Sequence, residues 1–332
     1  MGINLSDNQF YTGLTNLALY IAMYATNKTS KSKQLVDTFT SEPLDYGDTK
    51  IFRSLPFPEV SDYSDTTSLL GNHTPSFTPR GSATPVNVYE EVLKIDKFKL
   101  IKNSYNLRQL ELAVKSDYGM SDFVAIVLGN VEAAKIDYLY KEVVNTLYDG
   151  SGYYNVVPIE LVDMTNITTP TEIIAAEKIN QKRIALRMQK VIDAMTTFST
   201  SFNEPGLKQA VDMADLRMVV FQPYKNQAVV DLFAELLNSK YISENFPRPE
   251  LVTIPEARAA EATNYDSSFI AVICHKAFIQ LFYKLVYMGE FFDASTLRVN
   301  NFLHFWYKVG KVAQLPNCII KVNTTQPTPP TQ

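Results

Sequence analysis

The sequence predicts an α+β protein with two long helices and a sheet subdomain. Two segments repeat apolar residues at helical spacing over many turns. Short apolar runs alternate with helical segments from about 156 to 285, the pattern of a sheet covered by helices. The run from Ser268 to Cys274 is almost continuously apolar, as expected of a central strand buried on both faces. With 332 residues, 46% of them apolar, the chain can bury a sizeable core without disulfides or metals.

The first helical segments lie in the N-terminal half. Residues 8–25 carry an amphipathic pattern, and residues 107–114 can form a short helix. A longer helix is predicted over 121–147, ended by the glycine-containing turn at 149–152. Ser121 is its expected N-cap, and its apolar stripe runs through Phe123, Val127, Val131, Ala134 and Tyr138.

A second long helix is predicted over 171–202. Thr169 supplies an N-cap, Pro170 occupies the first helical position, and Glu172 completes a capping box. We interpret its apolar seam as the side that faces the core. The seam consists of Ile184, Met188, Val191, Met195, Phe198 and Phe202.

Strands and one more short helix complete the predicted elements. The short helix is expected at 229–237, and the strands at 156–162, 216–221, 251–254, 268–274 and near Ile319. The strand at 156–162 is expected to be buried. Residues 86–102 have the composition of a long half-exposed strand or a hairpin. In such a strand Lys97 and Lys99 share one face, and Lys94 and Lys102 share the other. We interpret these lysines as protection of a sheet edge rather than as a phosphate-binding row.

Residues 41–86 form an extended, proline-rich segment with six of the 17 prolines of the chain. Isolated apolar residues continue through it, which a merely solvated linker would lack. We therefore interpret it as an arm whose apolar residues pack on a neighbouring chain. These residues are Ile51, Phe52, Leu55, Phe57, Val60, Leu69, Leu70 and Phe77.

Charge and cysteine content exclude several classes of protein. The chain carries 31 Lys and Arg against 35 Asp and Glu, so a general basic surplus for nucleic-acid binding is not expected. Cys274 and Cys318 are interpreted as reduced core thiols. The most hydrophobic stretch, 277–288, is interrupted by charged residues, so we expect no membrane span. We also expect no secretory signal.

The sequence predicts no catalytic, cofactor or metal site. It contains no HExxH, P-loop, GxGxxG or GxSxG motif. His275 adjoins Cys274, but neighbouring strand residues point to opposite faces and cannot easily share one ion. Asp62 and Asp65 could ligate a hard cation, although a solvated acidic loop is the simpler interpretation. We interpret the aromatic group Phe302, Phe305, Trp306 and Tyr307 as core or interface.

The order of these segments resembles the major capsid (head) proteins of tailed bacteriophages with the Hong Kong 97-type fold. The size and the lack of catalytic motifs resemble the small podophage members. The resemblance implies an N-terminal arm, an extended loop, a peripheral domain with a long spine helix, and an axial domain. The implied divisions are 1–41 (N-terminal arm), 42–102 (extended loop and β-like arm), 103–155 (peripheral domain), 156–290 (axial domain), 291–323 (return to the peripheral domain) and 324–332 (disordered tail).

The resemblance also implies a function. The chain would assemble into hexamers and pentamers of an icosahedral head that encloses the phage genome, with no enzymatic activity. Expected partners are other copies of the chain, a scaffolding protein, a portal, a decoration or head-fibre protein, and DNA held without specific binding. No membrane partner is expected, and assembly would take place in the host cytoplasm before the virion is complete. The subunit-interface candidates are Phe52, Arg53, Phe57, Arg80, Lys97 and Lys99.

Other interpretations stay open at this point. An encapsulin-like nanocompartment shell protein would co-purify with an enclosed enzyme. An α/β ligand-binding protein or enzyme with an unrecognised site would form a small oligomer and bind a ligand saturably. A phage tail or collar component is a further alternative.

Deleting residues 42–85 is expected to leave a soluble core that cannot form shells, because these apolar residues have no visible core of their own. Electron microscopy of the deletion variant checks this, and regular closed particles would contradict it.

Overall fold

The computed structural model describes residues 31–57, 88–106, 119–153, 155–162, 168–221, 250–293, 295–296 and 298–323. Their helices are α1 (Lys31–Phe39), α2 (Gly119–Tyr148), α3 (Pro170–Thr196) and α4 (Glu256–Ala259). Their strands are β1 (Thr49–Ser54), β2 (Tyr89–Lys94), β3 (Lys97–Asn106), β4 (Asn155–Ile159), β5 (Leu216–Phe221), β6 (Glu250–Ile254), β7 (Phe269–His275), β8 (Ile279–Asp293), β9 (Arg298–Lys311) and β10 (Asn317–Val322). No described helix is long and apolar enough to cross a membrane.

Five strands form the central sheet in the order β4-β10-β7-β5-β6. The middle strand β7 runs antiparallel to β10 and β5, whereas the outer strands β4 and β6 are parallel to their neighbours. Ile270, Ala271, Val272, Ile273 and Cys274 are fully buried. The predicted central strand at 268–274 is therefore confirmed, and its position explains its continuous apolar composition.

The central sheet separates two apolar cores, and alternate residues of its strands enter opposite cores. On one side Val219 and Phe221 of β5 pack with residues of α1 and α2. On the other side Met218 and Val220 pack with α3. Each side of the sheet is thus covered by a different part of the sequence.

A second sheet has the order β3-β9-β8 and is antiparallel throughout. One of its faces packs on α2. There the hydroxyl oxygens of Tyr138 and Tyr307 lie 2.6 Å apart, and the Tyr138 hydroxyl donates to Glu142 Oε1 at 3.1 Å. The single hydroxyl hydrogen of Tyr138 goes to Glu142, so Tyr307 is the donor between the two tyrosines. Burial raises the pKa of Tyr307 well above its ordinary value.

The third sheet is the antiparallel pair of β1 and β2, which we call the arm hairpin. Its strands are separated in sequence by residues 55–88. Its inward side reaches the body of the subunit, where Phe52 and Leu93 pack near Ile95, Phe282 and Val312.

The two long predicted helices are confirmed, with corrections at their ends. Helix α2 includes Ser121 instead of beginning there. Its predicted stripe is correct at Val131, whereas Ala134 is exposed. Tyr138 is only partly buried. The buried face continues through Leu139, Tyr140, Val143, Val144 and Leu147 because the stripe drifts around the helix.

The turn after α2 is confirmed. Gly152 has a φ of +78°, a conformation that favours glycine. Lys311 donates from Nζ to the carbonyl oxygens of Asp149 and Ser151, so a cation lies close to the C-terminal end of the helix. Burial lowers the pKa of Lys311 to about 8.

Helix α3 ends at Thr196, so the prediction of a helix to residue 202 is wrong at its C-terminus. Phe198 and Phe202 belong to the following irregular segment, where Phe198 is exposed and Phe202 is buried. Pro170 occupies the first turn as predicted. The Thr169 side chain makes no hydrogen bond to the helix backbone and instead donates to the Glu172 carboxylate.

The strands near 216–221, 251–254 and 319 are confirmed, but two strand predictions need correction. The segment 156–162 was expected to be a buried strand, yet β4 is an edge strand with Val156 half exposed. Pro158 fits that edge position because it cannot donate to a ladder. The prediction of one strand or a hairpin over 86–102 is wrong for the described residues 88–102, since β2 pairs with β1 and β3 pairs with β9.

Four predicted elements lie outside the described residues. They are the helices at 8–25, 107–114 and 229–237, and the disordered tail at 324–332. The candidate cation ligands Asp62 and Asp65 lie outside them too.

Replacing Tyr307 by Phe is expected to lower the free energy of unfolding by about 1 kcal/mol, because it removes a donor from a partly buried hydrogen-bond chain. Urea unfolding of the subunit measures this. Tyr265→Phe is the matched control, with an expected change near zero. A change for Tyr307→Phe no larger than that of the control would contradict the role assigned to this contact.

Candidate assembly surfaces

The outward side of the arm hairpin carries an apolar pair with nothing above it among the described residues. Ile51 and Val92 lie directly opposite each other in the strand register. Their exposed fractions are 45% and 54%. Next to them Arg53 Nε lies 2.7 Å from Glu90 Oε1 in an exposed ion pair. An apolar centre with a charged rim is typical of a protein–protein interface.

The inward side of the arm hairpin holds it against the body. Gly310 of β9 allows a close approach here, since a Cβ atom at this position would lie 2.7 Å from Leu93 Cδ2. Burial and the charge of Glu204 raise the pKa of Glu91, whereas hydrogen bonds from the backbone of Ala313 and Gln314 lower it. The net pKa of Glu91 is raised, so burial of this carboxylate outweighs its hydrogen bonds.

The chain just beyond β1 of the arm hairpin contacts the segment that follows α3. The Phe57 ring meets the Phe198 ring edge-on, with centroids 5.2 Å apart. Lys208 Nζ lies 5.4 Å from the centroid of the Phe57 ring. The described chain therefore leaves β1 close to the C-terminal end of α3.

One face of the three-stranded sheet is strongly aromatic and open to solvent. The strand register places its members on the face opposite α2. Tyr287 and Phe291 are 62% and 61% exposed, and the Phe98 ring stacks on His304 at 5.3 Å. His304 Nδ1 is buried and has no hydrogen-bond partner among the described residues. We call this surface the aromatic face and define it as Phe98, Leu100, Tyr287, Phe291, Phe302 and His304.

The predicted interface residues are not gathered in one place. Phe52 lies on the inward side of the arm hairpin, Arg53 on its outward side and Phe57 just beyond it. Lys97 and Lys99 lie on the edge strand β3, which fits their interpretation as edge protection. Arg80 lies outside the described residues.

Both lysines also make contacts within the subunit. Lys97 Nζ is 3.2 Å from Glu142 Oε2, and Lys99 Nζ is 5.3 Å from the centroid of the Tyr138 ring. These contacts join β3 to α2. A structural role inside the subunit therefore accounts for both side chains.

The aromatic face contains residues that the sequence analysis did not select. Its clearest members, Tyr287 and Phe291, lie beyond a register shift between Leu285 and Tyr287. The extra residue reverses the alternation of faces, so a strict period of two would assign these rings to the wrong side. The exposed aromatic residues of one strand are the signal that could have found this surface.

The two cysteines of the central sheet lie in its apolar cores. Both cysteines are buried and free. Burial raises the pKa of both thiols to about 12. They also enter different cores, Cys274 on the side of α2 and Cys318 on the side of α3. Across the described part of the chain no three His, Cys, Asp or Glu side chains are grouped to hold a metal ion.

The comparison with protein families decides the identity of this fold. The family model described as Phi29-like phage major capsid protein matches residues 57–320. The chain belongs to this family. Its predicted membership among phage major capsid proteins is therefore confirmed. This capsid protein is a structural component of the virion, which favours the phage shell over the nanocompartment and enzyme alternatives.

Solved structures agree on the fold of this capsid protein. A chain of the Staphylococcus phage Andhra capsid matches with a TM-score of 0.58 and 9% identity, covering 85% of this chain and 83% of that chain. A chain of the Cyanophage P-SCSP1u capsid gives 0.53 and 11%, covering 87% of each.

A third match comes from the structure of the head fiber and inner core protein gp22 of native bacteriophage P68. It has a TM-score of 0.53 and 9% identity, covering 85% and 83% of the two chains. At these identities the likeness concerns the fold alone. No curated protein sequence matches this chain.

Replacing Glu91 by Gln is expected to stabilise the subunit slightly near neutral pH. A raised folded-state pKa means that Glu91 favours folding most when it is protonated, and that this contribution is lost as the pH rises through the raised pKa. The gain should be below about 1 kcal/mol, because the site is partly solvated. It should vanish near ~pH 4, where the carboxyl group of the wild type is protonated.

Thermal unfolding at the two pH values measures this effect. Glu90→Gln, on the outward side of the same strand, is the control. An equal loss of stability at both pH values in Glu91→Gln would mean that the backbone hydrogen bonds outweigh the burial cost.

Proposed function

We propose that this capsid protein assembles into hexamers and pentamers of an icosahedral head with the Hong Kong 97-type arrangement. In this proposal the central sheet and α3 form the axial domain, and α2 with the three-stranded sheet forms the peripheral domain. Because β8 shares its sheet with β3 and β9, the chain returns to the peripheral domain at Ile279, earlier than residue 291. The arm hairpin forms the base of the extended loop.

The observation that carries the proposal is the apolar pair on the outward side of the arm hairpin. Ile51 and Val92 are exposed on a hairpin whose other side is already packed on the body. Leu55 and Val88 extend the same end of the hairpin and are exposed too. A free subunit gains nothing from these residues, whereas a neighbouring subunit that covers them removes apolar surface from water.

The aromatic face is the proposed receptor for this hairpin on the neighbouring subunit. Tyr287 and Phe291 offer broad apolar area, and aromatic residues are enriched where interfaces form. The exposed Phe98 ring, stacked on His304, extends the same face. Contact between two different surfaces of the same chain is heterologous, and such contacts form a ring when the rotation between neighbouring subunits closes.

The remaining partners follow from the shell role. A scaffolding protein and a portal would direct assembly in the host cytoplasm, and a decoration or head-fibre protein would bind the finished surface. The genome would be enclosed without specific binding. The protein would act as a structural component without catalysis.

Replacing Ile51 and Val92 together by Glu is expected to abolish shell formation while leaving the subunit folded. Two carboxylates on the outward side would have to be desolvated in the interface, whereas they stay hydrated in the free subunit. Sedimentation and negative-stain electron microscopy measure assembly, and circular dichroism checks the fold.

The control is Thr49→Glu, which adds a charge on the same side at an exposed position opposite Lys94. It should still assemble. Normal shells from the Ile51→Glu, Val92→Glu variant would remove the outward side from the interface. Tyr287→Ser with Phe291→Ser tests the receptor surface in the same way.

The structure also changes the design of the deletion experiment that the sequence suggests. Removing residues 42–85 would take away β1 and uncover Leu93, Phe282 and Val312, so failure to assemble could reflect an exposed core. Removing residues 58–87 and joining the strands by a short glycine-rich turn keeps the arm hairpin. Regular closed particles from this shorter deletion would show that the segment beyond the hairpin is dispensable.

A further inference from the structure

Helix α3 has one face in the core and one basic face in solvent. Its buried face, which includes Ile184, Met188 and Val191, covers one side of the central sheet. The opposite side carries five cations within residues 178–190, and the exposed acids Glu172 and Asp193 lie before and after them on the same helix. The chain as a whole has a net charge of −4, so this cluster is opposite in sign to the molecule that carries it. The basic face of α3 consists of Lys178, Ile179, Lys182, Arg183, Leu186, Arg187 and Lys190.

The cations of this face are available to a partner. Among the residues that the structure describes, no carboxylate is paired with any of them within 4.0 Å, and Arg183 donates to the carbonyl oxygen of Glu160. Two aliphatic residues lie between them, since Ile179 and Leu186 are 47% and 41% exposed. A surface of cations around aliphatic side chains fits an acidic peptide with apolar residues better than it fits a phosphate backbone, which would leave the aliphatic residues without a partner.

The same chain contains such a peptide, and it begins beside this helix. The described chain reaches Phe57, whose ring packs on Phe198, two residues beyond the last residue of α3. Three acids follow at intervals of three residues, Glu59, Asp62 and Asp65. Apolar residues accompany them at Val60, Tyr63, Leu69 and Leu70.

The lengths of the two segments agree. The eight residues from Pro58 to Asp65 can span at most ~26 Å when extended. Helix α3 rises ~27 Å from Lys178 to its end at Thr196. A chain that leaves Phe57 and runs back along α3 therefore carries its three acids past Lys190, Arg187 and Lys182 in turn.

We propose that residues 59–70 dock in cis along the basic face of α3. The acids pair with the cations, and the apolar residues cover Ile179 and Leu186. This contact goes beyond the proposed function, because it lies within one subunit and does not depend on the neighbour contact of the arm hairpin. It assigns Val60, Leu69 and Leu70 to α3 of their own subunit, in place of the neighbouring chain expected from the sequence. It anchors the first part of the long connection between β1 and β2 and leaves residues 71–87 to extend from a defined point.

An engineered disulfide in the full-length, unassembled subunit tests the docking. Asp62→Cys is combined with Leu186→Cys, and the control combines Asp62→Cys with Lys102→Cys on the exposed edge strand β3. The native thiols do not compete, because both are buried. Oxidation of the first pair should be about tenfold faster or more, since docking raises the effective concentration of the two thiols. The product should migrate as a monomer on a non-reducing gel.

Two results of this experiment would overturn the proposal. Equal rates for the two pairs would show that residues 59–70 have no preference for α3. Covalent dimers from the first pair would place the acidic segment of a second copy on the basic face. Failure of the proposed neighbour contact would change neither result, so the two proposals are tested separately.

Charge reversal tests the source of the attraction. Lys182→Glu with Arg187→Glu, added to the first cysteine pair, should slow its oxidation several-fold, and Glu59→Lys with Asp65→Lys should restore the rate. Lys182→Gln with Arg187→Gln is the milder variant, and Lys94→Glu with Lys102→Glu is the matched control.

A fluorescent duplex DNA is the competing ligand. Two results together would overturn the proposal. The first is DNA binding that falls steeply with salt and is lost in the Lys182→Glu, Arg187→Glu variant. The second is an oxidation rate of the Asp62→Cys, Leu186→Cys pair that the same charge reversal leaves unchanged. The basic face would then bind nucleic acid.

Discussion

A strand without a solvent face requires an apolar layer on each of its sides, and β7 sets this requirement for the whole subunit. Its residues from Ile270 to Cys274 are fully buried. The layer on one side comes from α1 and α2, and the layer on the other comes from α3. These helices are far apart in the sequence, so the folding of the central sheet brings distant segments together. The positions of the arm hairpin and the three-stranded sheet follow from this arrangement, because both adjoin segments that cover the sheet.

The two sheets outside the central sheet each have a face that no other part of the described subunit covers. Strands β8 and β9 form a long hairpin whose partner on one face is α2, and the aromatic face stays open. The arm hairpin has only two strands, and because one of its sides packs on the body, the other side is exposed. A soluble monomer rarely keeps such surfaces in water. A subunit of a closed shell can keep them, because neighbouring copies cover them after assembly.

The sequence predicts the elements whose surroundings are uniform along their length. Strand β7 is apolar because both of its sides are buried, and the core seam of α3 has helical spacing because one layer covers it. Prediction from the sequence fails where tertiary contacts decide where an element ends or which way a side chain faces. Phe198 continues the spacing of the α3 seam, but the helix ends before it, and the ring serves as a contact for Phe57. The bulge between Leu285 and Tyr287 likewise decides which rings reach the aromatic face, and no alternation in the sequence reveals it.

The cations of β3 and of α3 differ in whether they have partners within the subunit, and this difference affects assembly. Lys97 and Lys99 of β3 contact Glu142 and Tyr138, so they join β3 to α2 within the subunit. The cations of α3 have no such partner among the described side chains, and the chain that leaves Phe57 is acidic. Exposed ion pairs are individually weak, but several pairs along one peptide add without new ordering cost once the first is formed. A shell subunit with an anchored arm presents its contact residues in a defined position, so less conformational entropy is lost when a neighbour binds.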